Sequence, residues 1–326
     1  MRVVAYSIKT FEKELLAKAN QKKHDITLIS NALSLETALY AEGKDAVIVF
    51  TNDDLSAPVI SKLADLGIRL IATRSVGIDH IDLAEAQKRG IQVANIPAYS
   101  PESVAEFAVA LALALSRSLI PSADRCRHFN FTIDPQPGFS LHGKTVGIIG
   151  LGSSGLAAAS IFKGFGCRVI GHDIVSLSRN GNVKQVGFER LLGEADIISL
   201  HVPLTADSYH LINKERIAGM KPGVMLINTS RGALIHTADA LDGLNSGQIG
   251  YLGLDVYENE KGLFLTDREL DPSCDALLNT LMQHPNVLVT PHQAFLTVEA
   301  LNEIALRTIQ HLDEWQKSNL AGKVCA

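Results

Sequence analysis

The chain has 326 residues, 46% hydrophobic and 20% charged, with a net charge of −5 and a pI near 6.1. This length is large for a single core and predicts two domains, and the composition argues against a disordered chain. No basic run stands out, which argues against nucleic acid or an anionic membrane as the main partner. Cys126, Cys167, Cys274 and Cys325 form no C-x-x-C pair and have no metal-like spacing with histidine. Free thiols in a reducing cytoplasm, and no bound metal, are the expectation.

Apolar runs alternate with amphipathic segments almost from end to end. The N-terminal Met1-Arg2-Val3-Val4-Ala5-Tyr6-Ser7 reads as a first strand rather than a signal peptide. Further strands are expected at 26–29, 46–50, 70–73 and 92–95, with helices at 11–19 and 58–66 between them. Ser100-Pro101-Glu102 supplies a capping hydroxyl, a proline at the first helical position and an acid in the first turn. It predicts a long helix to about residue 119, interrupted by Pro121. The apolar stretch 107–115 within it is far short of the ~18 residues that a membrane span needs. Its small side chains suit either a subunit interface or a buried interdomain helix. Residues 130–144, with Pro135 and Pro137, read as a connector. A second series of strands follows at 146–149, 168–171, 197–201, 224–228, 251–256 and 287–290. A last helix at about 298–317 is expected to pack back on the first domain. Such alternation implies parallel sheets covered by helices on both faces, joined by right-handed crossovers.

The second series opens on Val146-Gly147-Ile148-Ile149-Gly150-Leu151-Gly152-Ser153-Ser154-Gly155, a strand running into a glycine turn that opens a helix. Gly150, Gly152 and Gly155 hold the G-x-G-x-x-G places of a dinucleotide site. In such a site the glycines permit the tight turn, the approach of the pyrophosphate and close helix–strand packing, and the helix N-terminus faces the phosphates. Asp173, 18 residues past Gly155 at the end of the next strand, is placed to accept the adenosine ribose hydroxyls. A carboxylate there repels a 2′-phosphate, and no arginine follows until Arg179, so NAD is expected over NADP.

Three further strands end in polar clusters. They are Asn228-Thr229-Ser230-Arg231-Gly232, Asp255-Val256-Tyr257-Glu258-Asn259-Glu260 and Thr290-Pro291-His292. Ligands of open parallel sheets collect beyond the carboxyl ends of the strands. An arginine, an acid and a histidine beside a nicotinamide suit reduction of a 2-keto acid. The guanidinium holds the carboxylate and polarises the carbonyl, and the imidazolium donates a proton while the carboxylate favours its charged form. His172 and His201 receive no catalytic role.

Motifs spread along the whole chain resemble the D-isomer-specific 2-hydroxyacid dehydrogenases and, within them, the fermentative D-lactate dehydrogenases. They are Arg74-Ser75-Val76-Gly77-Ile78-Asp79-His80-Ile81-Asp82, Pro97-Ala98-Tyr99-Ser100-Pro101, the glycine turn, His201-Val202-Pro203-Leu204-Thr205, Asn228 through Ile235, Asp255 through Glu260, and His292-Gln293-Ala294-Phe295-Leu296-Thr297. The resemblance implies an α/β fold of two doubly wound parallel-sheet domains. A Rossmann NAD-binding domain (99–296) is inserted into a flavodoxin-like substrate domain (1–98 and 297–326). It implies Arg231 as the substrate-binding catalytic residue, Glu260 as the partner of the histidine and His292 as the acid/base. Val76 and Gly77 would grip the substrate carboxylate through backbone N–H groups, and Tyr99 and Phe295 would line a small apolar pocket. Ser153, Ser154, Asp173, Val202, Pro203, Thr229 and Ser230 would line the cofactor, with Asp255 an ordering residue near the nicotinamide. Ser154 and Ser208 depart from the residue types usual at their places and bear on cofactor affinity. The segment 261–286 stands between Glu260 and the strand leading to His292, and packing on the substrate domain or at a subunit contact are both open to it.

The expected activity is reduction of pyruvate to D-lactate with NADH, in a cytoplasmic homodimer or homotetramer. Glyoxylate, hydroxypyruvate or phenylpyruvate is the alternative substrate, and a nonenzymatic NADH-sensing module is the alternative of a different class. Phosphoglycerate is disfavoured, since the chain carries no appended regulatory domain and no evident phosphate-binding set.

Overall fold

The computed structural model describes residues 1–133, 137–176, 183–271 and 275–324, with side chains described as far as residue 318. Arg179, Pro135, Cys274 and Cys325 lie outside the described residues. The chain forms two compact units, Met1–Ser100 with Leu296–Ala326, and Pro101–Phe295.

The split unit carries β1 (Arg2–Ala5), α1 (Thr10–Asn20), β2 (Asp25–Leu28), β3 (Ala46–Val49), α2 (Ala57–Asp65), β4 (Leu70–Thr73), α3 (Leu83–Lys88) and β5 (Gln92–Ala94). Its strands are all parallel, in the order β2-β1-β3-β4-β5. This is the flavodoxin-like arrangement. The strands are buried on both faces, so each reads as a continuous apolar run whose alternate residues serve opposite cores. Val4, Val47, Val49 and Ile71 pack with α2 residues Val59, Ile60 and Leu63. Val3, Ala5, Ile48 and Ala72 pack with Leu16 of α1 and with Ala305, Ile309 and Leu312 of the final helix. That helix, Val298–Val324, runs beyond its expected end and returns to the first sheet.

The continuous unit carries α4 (Pro101–Ser116), α5 (Leu119–Arg127), β6 (Thr145–Ile149), α6 (Ser153–Gly164), β7 (Arg168–His172), β8 (Lys184–Gln185), α7 (Phe188–Glu194), β9 (Ile197–Leu200), α8 (Lys214–Ala218), β10 (Val224–Asn228), α9 (Thr237–Ser246), β11 (Ile249–Leu254), α10 (Ala276–Gln283) and β12 (Val287–Val289). The strand order is β12-β11-β10-β9-β6-β7-β8, again all parallel. The order reverses between β6 and β9, which opens the switch-point crevice of a Rossmann sheet. Val146, Ile148, Met225 and Ile227 face α4 and α6, whereas Ile149, Ile198, Leu226 and Leu252 face α7 to α10.

One expectation is corrected here. Pro121 does not interrupt the long helix. The break comes at Ser118, which takes a left-handed backbone, φ +47°. Pro121 then sits in the first turn of α5, where its missing N–H would have had no helical partner anyway. On the alanine-rich helix, Ala105, Ala108, Leu111, Ala112 and Leu115 are buried in the core of its own unit, against α6, β10 and β11. No single helix among the described residues is long and apolar enough to cross a membrane.

Candidate active site

One row of residues crosses the second sheet. Backbone register pairs His172 with Ile149, Ile149 with Leu200, Leu200 with Asn228, Asn228 with Leu254, and Leu254 with Val289. Each member closes its strand, or nearly so, and the chain then turns into a candidate segment. Asp173 follows His172, the glycine turn follows Ile149, and Val202 and Pro203 follow Leu200. Thr229, Ser230 and Arg231 follow Asn228, Asp255 follows Leu254, and His292 follows Val289 by three positions. Neighbouring strands lie about 4.8 Å apart, so residues scattered from Gly150 to His292 in sequence open from one edge.

The glycine turn divides into two kinds of glycine. Gly150 has φ +95°, and a Cβ on it would lie 2.4 Å from the His201 carbonyl oxygen. A Cβ on Gly155 would lie 1.9 Å from the Gly150 carbonyl oxygen. The fold itself requires both. A Cβ on Gly152 would meet nothing within 4 Å. That open space, at the start of α6, fits a pyrophosphate passing over the backbone. Helix α6 starts here with no side-chain cap, leaving its first-turn N–H groups, among them those of Ser153 and Ser154, for an anion. The buried Thr229 Oγ1 has no partner among the described residues, a second polar atom suited to a ligand. Gly152→Ala is therefore expected to keep its thermal midpoint yet bind NADH at least about tenfold more weakly, whereas Gly155→Ala loses stability. Calorimetric unfolding and a fluorescence titration of each variant check this.

Asp173 is partly buried, with Oδ2 accepting the Leu151 N–H at 2.8 Å and Oδ1 accepting the Val175 N–H at 3.0 Å. These bonds fix the carboxylate beside the glycine turn. Ser230 Oγ donates to the Val202 carbonyl at 2.5 Å, which ties the segments after β9 and β10 together. The buried Asn228 orders the next turn: its Oδ1 accepts the Ser230 N–H and its Nδ2 donates to the Arg231 carbonyl. Pro203 is exposed, and Ser208 is turned to the Pro203 carbonyl and to Thr205. The guanidinium of Arg231 donates to its neighbour's carbonyl, that of Ser230, at 2.9 Å.

His292 has φ +54°, a left-handed backbone uncommon for a non-glycine residue. Its N–H donates to the Asp255 carbonyl at 2.7 Å and the Thr290 carbonyl at 3.0 Å. The Asp255 carboxylate, fully buried, accepts the Thr290 hydroxyl at 2.6 Å, the Gln293 N–H at 2.9 Å and the Ala294 N–H at 2.8 Å. Burial pushes its carboxyl above the ordinary range, against the pull of these bonds. Asp255 was grouped with cofactor residues by sequence; its carboxylate is engaged with the segment that carries His292. His292 Nδ1 lies 2.8 Å from Glu260 Oε1, and Glu260 Oε2 accepts the Tyr257 N–H at 3.1 Å. A carboxylate on Nδ1 assigns that nitrogen a proton and leaves Nε2, which has no partner among the described residues, to exchange one. By contrast, burial pushes His201 down to about 4, and Ser199 Oγ occupies its Nε2, so it is no proton donor at neutral pH.

In the split unit, Asn95 Nδ2 donates to the Val76 carbonyl and Ser75 Oγ to the Gly77 carbonyl, both at 2.7 Å. The N–H groups of Val76 and Gly77 have no acceptor among the described residues. Tyr99 also belongs to this unit, half-buried, while the buried Phe295 closes the other. The segment after Glu260 was undecided by sequence; its latter part, α10, packs on α9 and β12, and the Tyr257 hydroxyl reaches the Asp275 carboxylate that caps α10. Sequence reasoning missed the supports Asn95, Asn228 and Tyr257, because each acts through a partner remote in sequence or through backbone atoms. Among the described residues no three histidines, cysteines or acids could hold a metal ion.

The family model described as "D-isomer specific 2-hydroxyacid dehydrogenase, NAD binding domain" matches residues 109–294, more than half the chain. The chain belongs to the D-isomer-specific 2-hydroxyacid dehydrogenases. The 2-hydroxyacid dehydrogenase A of Aspergillus oryzae is 43% identical over 322 residues, 97% of this chain and 92% of the relative. The D-lactate dehydrogenase of Escherichia coli is 40% identical over 328 residues, 100% and 98% of the two chains. A solved structure described as the pyruvate reductase of Chlamydomonas reinhardtii matches with a TM-score of 0.90 and 45% identity, over 97% of this chain and 96% of that one. Like other members of the family, this dehydrogenase is an NAD-dependent oxidoreductase acting on small 2-hydroxy or 2-keto acids, and its two parallel-sheet domains are those that its motifs imply.

Proposed function

We propose that this dehydrogenase reduces pyruvate to D-lactate. NADH, when bound in the crevice of the second sheet, supplies a hydride to the keto carbon. His292 gives the proton on Nε2 to the keto oxygen, and Glu260 holds the imidazolium that must precede this step. Arg231 takes the substrate carboxylate and polarises the carbonyl. Val76 and Gly77 supply two N–H donors to the same carboxylate, and Tyr99 and Phe295 provide the apolar contacts that suit a methyl group. Asp255 orders the His292 segment. Ser153, Ser154, Val202, Pro203, Thr229 and Ser230, with the three glycines, carry the cofactor.

The observation that carries this reading is the Glu260–His292 pair, which stands in the row of strand ends that also carries Arg231 and the glycine turn. The split unit, about residues 1–98 and 297–326, takes the role of substrate domain, and 99–296 that of cofactor domain. A cytoplasmic homodimer or homotetramer completes the proposal; Cys126 and Cys167, both free, suit a reducing compartment. The test is NADH oxidation with pyruvate, glyoxylate, hydroxypyruvate and phenylpyruvate, followed by chirality analysis of the product. Pyruvate is expected to give the highest kcat/KM and a D-product. A higher value with a bulkier acid overturns the substrate, and an L-product overturns the reading as a whole.

The preference for NAD rests on Asp173. Asp173→Ala is expected to narrow the NADH-over-NADPH preference in kcat/KM by about tenfold or more, since the repelling charge is gone. A wild type that already prefers NADPH contradicts the assignment.

A further inference from the structure

A second cluster of titratable side chains lies behind the Arg231 turn. His210 Nε2 is 2.5 Å from Glu258 Oε1, and Glu258 Oε2 accepts the Thr237 N–H at 2.9 Å. The N–H of His210 donates to the Ala233 carbonyl at 2.8 Å. Its ring stacks on Tyr209 with centroids 3.9 Å apart and tilts against His236 at 4.6 Å. Ala233 is the central residue of the 3-10 turn Gly232–Leu234 that Arg231 opens, and Thr237 follows that turn by three residues. Glu258 precedes Glu260 by two residues.

The turn rests on backbone. A Cβ on Gly232 would lie 2.0 Å from the Tyr257 carbonyl carbon and 2.5 Å from the Glu258 nitrogen. A small void beneath this contact is lined by Gly232, Thr237, Tyr257 and Glu258 together with apolar side chains such as Ile235, Leu252 and Leu281, and Leu234 anchors the turn in the core. Hydrogen bonds to the Glu258 carboxylate add a polar tie on the side away from that core. They also hold the Glu258 carboxyl below its ordinary range although burial pushes it up. The cluster has no three donors arranged for a metal ion.

We propose that Glu258 is a positioning residue: through the Thr237 N–H and the His210 ring it clamps the turn carrying Arg231 to the strand end carrying Glu260. The guanidinium is thereby held in one place relative to the His292–Glu260 pair. This rests on the roles proposed above for Arg231, Glu260 and His292. Glu258 touches no reacting atom, and its removal acts through Arg231 alone. Glu258→Gln keeps an acceptor for the Thr237 N–H and presents an amide to His210 Nε2, so it preserves most of the clamp.

The experiment is a double-mutant cycle on the full-length enzyme, reading kcat and KM for pyruvate, NADH affinity and the urea midpoint. Glu258→Ala is expected to lower kcat/KM about thirtyfold, within the range that a 1 Å displacement of a substrate-positioning group produces, with NADH affinity within about twofold. Glu258→Gln is expected to recover most of that loss. In an Arg231→Lys background, Glu258→Ala is expected to cost less than about threefold, because residues acting as one unit are not additive. A full additional loss in that background, or an unchanged kcat/KM in Glu258→Ala, overturns the inference. If Glu258→Ala does not fold, His210→Ala in the same cycle decides it by the same criteria. An Arg231→Lys enzyme as active as wild type instead overturns the role of Arg231 itself.

Discussion

His292→Gln is expected to lower the single-turnover rate of pyruvate reduction by about a thousandfold and to leave NADH affinity unchanged. A positioned general acid contributes typically 10²–10⁴-fold, and an amide cannot give up a proton near neutral pH. The substituted side chain retains a donor for Glu260 Oε1, now 2.8 Å from Nδ1, so the surrounding geometry is conserved and the loss isolates proton transfer. His292 follows β12 at one end of the sheet order, four strands from the glycine turn after β6, which explains why cofactor binding is spared. Stopped-flow absorbance of NADH, with a fluorescence titration on the same preparation, separates the two quantities. A rate within tenfold of wild type would remove His292 from the reaction.

Asp255→Asn is expected to lose both stability and activity although it changes one atom. The carboxylate accepts three hydrogen bonds, two from backbone N–H groups on different oxygens. An amide turns its NH2 toward one set of these donors whichever way it is placed. A buried donor left facing another costs about 1–3 kcal/mol. The segment it holds, Gln293 and Ala294, directly follows His292, whose left-handed backbone carries about 1–3 kcal/mol of strain that the surroundings must offset. Released, that residue would leave its place beside Glu260. Turnover should fall by about a hundredfold, with a lower urea midpoint. A variant with wild-type stability and reduced turnover would instead make Asp255 a direct participant in the chemistry.

The alternation of strands and helices was legible because parallel strands buried on both faces are written as short apolar runs between amphipathic segments. So were the candidate residues: an apolar strand that ends abruptly in a polar cluster holding Arg231, Asp255 or His292 marks a candidate functional edge. The supports were not legible. Asp255 reaches Ala294 across 39 residues, and His210 reaches Glu258 across 48, and neither spacing has a period that a sequence displays. The misplaced break at Pro121 has a similar cause. Proline is the visible breaker, but the chain turns at Ser118, an ordinary serine whose left-handed backbone no composition rule marks. The arrangement of Glu260 toward His292 was expected only as a family role, and depends on a Tyr257 N–H that any residue but proline would supply.

The three glycines of the turn leave different historical traces. Gly150 and Gly155 answer to the polypeptide, since a methyl at either would strike a carbonyl oxygen. Gly152 meets no such obstacle, and in the proposed site it answers to the nucleotide. A descendant of this gene that stopped using NAD while keeping its shape would be free to drift at 152 and constrained at 150 and 155. Among distant copies, a bulky residue at that single position would be the earliest written sign that the cofactor had been abandoned.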